Sequence, residues 1–397
     1  MMVDRYFPVE EYETRREYVL AEMKRRDYET AVIWGRGAGG HERGQDTLYL
    51  TNYYSSASGQ EPDNQLLTGR AFCALILSQT GDPELHVDLP GRRDDLFAIE
   101  NVTDHYSPIQ GVAEALKARR IDGEVALVGT DFLPHTYARE LMDATPQIAW
   151  REENDLVQQV RKIKSPRELD CYREGGEIAT RAIMRYMEGL TSGKRDCDAA
   201  ADAASEIIRS GGTYLMLPSN HGDTMQFWCR QPLTGYATDA PSQGDLVRGW
   251  LLGPIHQGYY LDPGRTAVCG GKPSDSQREL VEAAANIVDT LIGEVRPGMT
   301  IMEIAKMGER MTREAGGGGD QTSEQWPLYG HGLGLFWEDP YIGTQMCAPD
   351  DRVEENMVFG IESFLGKEGV GAAGFEQNIL VTSEGTELLT PAPMLWW

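Results

Sequence analysis

The run Gly258-Tyr259-Tyr260-Leu261-Asp262-Pro263-Gly264-Arg265-Thr266 sets an aspartate at the end of an apolar, strand-like stretch, just before a Pro-Gly turn. A carboxylate in such a setting is costly unless something neutralises it. Three more positions share this character. His331 lies in Gly330-His331-Gly332-Leu333-Gly334, Glu362 ends Met357-Val358-Phe359-Gly360-Ile361-Glu362, and Glu376 precedes the apolar Ile379-Leu380-Val381. Three carboxylates and one imidazole form a hard, oxygen-rich donor set suited to Mn²⁺, Fe²⁺, Co²⁺ or Zn²⁺. The glycines around His331 allow close backbone approach. Taken singly, Asp262 reads as a turn residue, His331 as a core histidine and Glu362 as a satisfied buried acid; the set as a whole points to a metal.

Upstream of these motifs the chain has two styles. Glu10 to Arg26 reads as a charged helix, followed by buried-strand runs at Thr30–Trp34, Leu48–Leu50, Ala71–Leu77 and Val125–Val128, with helical stretches between, such as Gly111–Arg119. Strands alternating with helices predict an α/β domain over residues 1–158. Near Val160-Arg161-Lys162-Ile163-Lys164-Ser165-Pro166 the character changes, and residues 159–397 form the second domain. Ser165 with Pro166 and Glu168 makes a helix start, and a long helix should run to about Glu188. Further helices are expected over Asp196–Arg209, Asp275–Val295 and Ile301–Glu314, with strands from Thr213 onward and a flexible loop at Gly316–Gly319.

Composition narrows the class. The 397 residues carry 62 acids against 37 Lys and Arg, a net charge of −25, which disfavours nucleic-acid binding through a basic face. Such a balance suits a salt-tolerant host or ordinary acidic solubility. No stretch approaches the roughly 20 apolar residues of a membrane span, and the first residues lack a signal-peptide pattern, so a cytoplasmic location is expected. The six cysteines contain no C-x-x-C pair, which argues against finger-type zinc and against a disulfide framework.

The order Gly-Tyr-x-x-Asp-x-x-Arg-Thr, then Gly-His-Gly-x-Gly, then Met-Val-Phe-x-Ile-Glu, then a Glu-led last strand resembles the creatinase/prolidase/aminopeptidase-P family. Arg161–Pro166, Tyr49-Leu50-Thr51 and Pro297-Gly298-Met299-Thr300 add to the likeness. The resemblance implies an α/β N-terminal domain, an α+β pita-bread C-terminal catalytic domain and a homodimer. In the family's peptidases five residues hold two metals. Asp262, His331, Glu362 and Glu376 match four, and the position of the fifth, an aspartate, falls on Leu251 by spacing, with Trp250 and Leu252 beside it. One divalent metal (Mn, Fe, Co or Zn) is therefore expected, with a metal-free, creatinase-like acid/base set as the alternative. Two substrate-binding histidines of the family are also replaced. One position falls near Phe227 or Trp228, and the other holds Glu338.

These departures point to a small-molecule hydrolase cleaving a C–N bond of amide, amidine or guanidino type. The alternatives are a metal-dependent Xaa-Pro dipeptidase or aminopeptidase, a lyase on a small cationic metabolite, and a non-catalytic binding module. In the leading reading His331, Glu362 and Glu376 carry the chemistry, with His221 or His256 as a displaced acid or base. Phe227, Trp228, Trp250 and Leu251 line an aromatic pocket suited to a cation, beside Glu338 and whichever of Tyr259 and Tyr260 the strand turns inward; Tyr260 is taken as the candidate. Arg265 either pairs with a substrate carboxylate or forms a structural ion pair. The long stretches Gly35–Gln45 and Ser55–Asn64, with Arg36, His41, Arg43 and Glu61, are candidate specificity loops for a partner subunit.

Overall fold

The computed structural model describes residues 6–37, 43–55, 57, 63–88, 93–225, 235–316 and 328–397. The chain divides into two compact units, Met1–Arg161 and Lys162–Trp397.

The first unit contains α1 (Val9–Arg25), β1 (Thr30–Arg36), α2 (Gln45–Thr51), β2 (Phe72–Ser78), β3 (Glu84–Asp88), β4 (Val102–His105), α3 (Pro108–Ala118), β5 (Gly123–Val128), α4 (His135–Ala144), β6 (Ile148–Glu152) and α5 (Gln158–Arg161). Its strands form one mixed sheet in the order β4-β3-β2-β1-β5-β6. The strands expected from apolar runs are there, but Leu48–Leu50 is helical, inside α2. A three-residue apolar run fits a helix turn as well as a strand, and here Thr47 and Tyr49–Thr51 bury one side of a two-turn helix. The short α5 belongs to this unit, so the seam follows Arg161 rather than residue 158.

The second unit contains α6 (Pro166–Thr191), α7 (Asp196–Arg209), β7 (Ser219–His221), β8 (Leu246–Trp250), β9 (Gly253–His256), β10 (Tyr259–Leu261), β11 (Gly264–Val268), α8 (Asp275–Glu294), α9 (Ile301–Glu314), β12 (Gly330–Leu333), β13 (Trp337–Tyr341), β14 (Val358–Lys367), β15 (Gly371–Thr382) and β16 (Gly385–Leu388). Helix α6 starts where expected: the Ser165 hydroxyl accepts from the Glu168 N–H, and the Glu168 carboxylate accepts from the Ser165 N–H. The same reciprocal box starts α8 at Ser274 and α9 at Thr300. Seven strands run in the order β13-β12-β14-β15-β11-β8-β7, with β16 on β15, and β9 pairs with β10 as a separate ribbon. Every ladder in the large sheet is antiparallel. Helices α8 and α9 pack a core of Ile, Leu and Val against β14 and β15. Gly249 turns its face of β8 to α6, where an added Cβ would meet Tyr186, Met187 and Leu190. The opposite face is left to the site. This is an α/β unit followed by a pita-bread unit.

Candidate active site

Antiparallel partners share a face, and the ladder positions follow from that. Glu362 on β14 pairs with Glu376 on β15, Glu376 with Gly264 on β11, and Gly264 with Trp250 on β8. Asp262 precedes β11, and His331 on β12 pairs with Gly360, two residues before Glu362. Asp262, His331 and Glu376 are buried, and each offers a ligand atom within 4.8 Å of the others. His331 Nε2 lies 3.5 Å from Asp262 Oδ2 and 3.6 Å from Glu376 Oε1. Gly360 makes this approach possible, because a Cβ there would sit 2.0 Å from Glu376 Oε1.

His331 Nδ1 lies 3.2 Å from the Gly332 carbonyl, which can only accept, so the neutral ring that makes this bond has its proton on Nδ1 and its lone pair on Nε2. Glu376 Oε1 is buried with no hydrogen-bond donor. Burial, with Asp262 and Glu362 adding like charge, pushes the Glu376 carboxyl well above the usual carboxylate range. Three ligand atoms thus face one another within 4.8 Å. A divalent cation fits that arrangement, and the donor set is the hard, mixed N/O kind that Mn²⁺, Fe²⁺, Co²⁺ and Zn²⁺ accept. Glu362 stands beside the trio as the cross-strand neighbour of Glu376.

A shell of donors supports the acids. Trp250 Nε1 donates to Glu376 Oε2 at 2.8 Å and Trp337 Nε1 to Asp262 Oδ2 at 2.7 Å. Asn378 Nδ2 donates to Asp262 Oδ1 at 2.7 Å, while its Oδ1 accepts from the Asp262 backbone N–H at 3.0 Å. Trp250, Leu252 and Phe364, with Met216 and Trp337, form an apolar cluster on the same side.

Other expected site residues fall elsewhere. Trp250, not Leu251, is turned toward the acids. Leu251 is buried with the opposite strand parity, as Trp250 and Leu252 share the aromatic cluster. Arg265 is fully buried, and its five N–H groups bond to the carbonyls of Gly264, Glu376, Ala392 and Pro393 and to Gln377 Oε1. With every donor used, it holds structure rather than a substrate carboxylate. Glu338 also departs from expectation. It has the opposite parity to Trp337, lies under Gly334, where a Cβ would meet it at 2.0 Å, and accepts from the Leu335 N–H.

His221 pairs with Val247, on the Gly249 face that meets α6, and its Nδ1 is 2.9 Å from Asp196 Oδ1 on α7. It is not brought to the acid cluster. His256 bonds to Glu174 of α6. Tyr259 turns outward to Glu168, whereas Tyr260 packs against Phe336 and Trp337, as alternation requires. Phe227, Trp228, His41 and Glu61 lie outside the described residues. Sequence reasoning missed Trp337 and Asn378. Trp337 sat unread in the strand after the Gly-His-Gly motif, and Asn378 two residues past Glu376.

The fold and the buried acid–imidazole trio define a hydrolase of the pita-bread class. The model of metallopeptidase family M24 matches residues 170–383, more than half of the chain, and the chain belongs to that family. Among curated relatives, the Xaa-Pro dipeptidase of Pyrococcus horikoshii is 25% identical over 349 residues, covering 85% of this chain and 89% of the relative. The probable dipeptidase PepE of Mycobacterium tuberculosis is 28% identical over 283 residues, 68% of this chain and 69% of its own. Among solved structures, the Xaa-Pro dipeptidase from Bacillus anthracis superposes with a TM-score of 0.78 at 18% identity, covering 97% of this chain and 100% of that one. Dipeptidase PepE from Mycobacterium ulcerans gives 0.75 at 25% identity, with 98% of each chain covered. Among the described residues no helix is long and apolar enough to cross a membrane.

Proposed function

We propose that this protein is a metal-dependent amide hydrolase acting on small, dipeptide-sized substrates with a single divalent cation. The observation that carries the proposal is the set of facing ligand atoms, His331 Nε2, Asp262 Oδ2 and Glu376 Oε1, buried within 4.8 Å of one another. Several relatives bear the names of Xaa-Pro dipeptidases, which moves the peptidase reading ahead of the non-peptide hydrolase expected from the sequence. Asp262, His331 and Glu376 would hold the cation, with Glu362 completing the set. When bound, such a cation supplies Lewis-acid polarisation of a substrate carbonyl. The side chains do the rest. The contact of His331 Nδ1 with the Gly332 carbonyl aims Nε2 inward, where it would ligate the cation. Glu362, on the shared face, is positioned to take a proton from an attacking water and return it to the leaving nitrogen. Trp250, Phe364 and Trp337 exclude bulk water from that side.

A second reading rests on those same indoles. An aromatic wall beside a cluster of acids favours a planar cationic group, so a guanidino or amidine acid is the runner-up substrate. The homodimer is proposed on the family resemblance alone, and sedimentation equilibrium tests it.

The deciding experiment supplies Mn²⁺, Co²⁺ or Zn²⁺ and follows release of free proline from Leu-Pro and Met-Pro in ¹⁸O-labelled water, with His331→Ala as control. Release of proline together with leucine or methionine bearing one labelled oxygen in its carboxylate, absent in the control, supports the dipeptidase. Inert dipeptides with hydrolysed guanidino or amidine acids support the runner-up. Failure of both substrate classes with metal present would defeat the proposal.

A further inference from the structure

The carboxylates of Asp262 and Glu376 each turn one oxygen toward His331 Nε2 and one away from it. The inward pair is Oδ2 and Oε1, at 3.5 and 3.6 Å. The outward pair is Oδ1 and Oε2, and each of these accepts a short N–H bond: Oδ1 from Asn378 Nδ2 at 2.7 Å, Oε2 from Trp250 Nε1 at 2.8 Å. The Asn378 amide cannot be reversed, because its own oxygen already accepts the Asp262 N–H. The indole of Trp250 is held as firmly. It is buried, stacks on Phe364 at 5.3 Å and 11°, and lies over Gly264, where a Cβ would meet its ring at 2.0 Å. Among the described residues its companions on that side, Leu252, Phe364 and Met216, carry no side-chain oxygen or nitrogen.

We propose that Trp250 and Asn378 are positioning residues that engage, with N–H donors, the carboxylate oxygens a second cation would need, and so restrict this site to one metal ion. The inference rests on the metal reading above and deepens it. The two N–H groups supply part of the positive charge that the outward oxygens demand, and they orient the inward oxygens toward His331. Trp337, donating to Asp262 Oδ2 at 2.7 Å, completes the orientation and leaves that oxygen a further lone pair.

The test is a Mn²⁺ titration of the whole chain, reading stoichiometry by calorimetry and the bound ion by electron paramagnetic resonance. The wild-type chain takes up one equivalent and gives the spectrum of an isolated Mn²⁺. Trp250→Phe keeps the ring and removes the donor; its Kd rises about ten- to a hundredfold at unchanged stoichiometry, with circular dichroism verifying the fold. Should that variant not fold, Trp337→Phe, at a half-buried position, removes the donor on Oδ2 with the same expected loss. Two equivalents or a spin-coupled pair spectrum in the wild-type chain, a wild-type Kd in the donor-less variant, or no binding at all would overturn the inference. One bound Mn²⁺ in a protein that hydrolyses neither substrate class would leave it standing while removing the proposed function.

Discussion

At the residue scale the site is a problem of like charges. Asp262, Glu362 and Glu376 crowd a buried face, and Glu376 is the one whose carboxyl is pushed up by burial and by the other two. Glu376→Gln removes one charge and keeps the shape. The metal-free variant should melt a few degrees above the wild type, and added Mn²⁺ should no longer raise its Tm; scanning calorimetry with and without Mn²⁺ reads both. Gly360→Ala tests the approach of the ligands from the other side. Its Cβ would fall 2.0 Å from Glu376 Oε1, so the carboxylate must move. Mn²⁺ affinity should drop at least about tenfold, while far-UV circular dichroism stays that of the wild type. Unchanged affinity would show that Glu376 does not hold the ion in the orientation described.

At the scale of elements, the helices were the most readable part. Asp196–Arg209 and Ile301–Glu314 have the limits read from the sequence, and Ser165-Pro166-x-Glu168 is the box that starts α6. Ser165→Ala should cost about 1 kcal/mol in urea unfolding without changing Mn²⁺ affinity. The acids and His331 were legible too, because a carboxylate in an apolar strand demands a reason. Their neighbours were not. Spacing along the chain put Leu251 at the missing ligand, but a shift of one residue exchanges the faces of a strand, and it is Trp250 that turns toward Glu376. Trp337 and Asn378 act through register between strands distant in sequence, which no local pattern carries. His221 and Arg265, each read from the sequence with a structural alternative, follow the same logic. Their strands present them to α7 and to the segment around Ala392 rather than to the acids. The glycine under Trp250 belongs to this scale. Gly264→Ala sets a methyl into the indole, and overpacking of that kind costs roughly 1–3 kcal/mol; loss of Mn²⁺ binding should accompany the lower Tm.

At the scale of the molecule, acid stability should be governed partly by a histidine pair far from the chemistry in sequence. His86 Nδ1 and His105 Nε2 lie 2.8 Å apart across β3 and β4. Burial, then His105 and Arg119, lower His86 to about 3 from an ordinary 6.5. A group with a depressed folded value contributes stability above its unfolded value and loses it as pH falls through the window between, here from 6.5 toward 3. Stability should fall in that window with a slope approaching about 1.4 kcal/mol per pH unit, and His86→Gln should flatten it in denaturant titrations at stepped pH. A charge of −25 adds self-repulsion, so salt should raise the Tm of the whole chain. The Arg265 guanidinium has a reach of its own at this scale. It ties the backbone of Glu376 to the carbonyls of Ala392 and Pro393, a few residues before Trp397. The segment around Ala392 is therefore a handle on the acid cluster. A protease cut just after residue 390 would remove carbonyls that the buried Arg265 guanidinium bonds to and loosen the strand that carries Glu376, so the cut chain should bind Mn²⁺ more weakly than the intact one in a calorimetric titration.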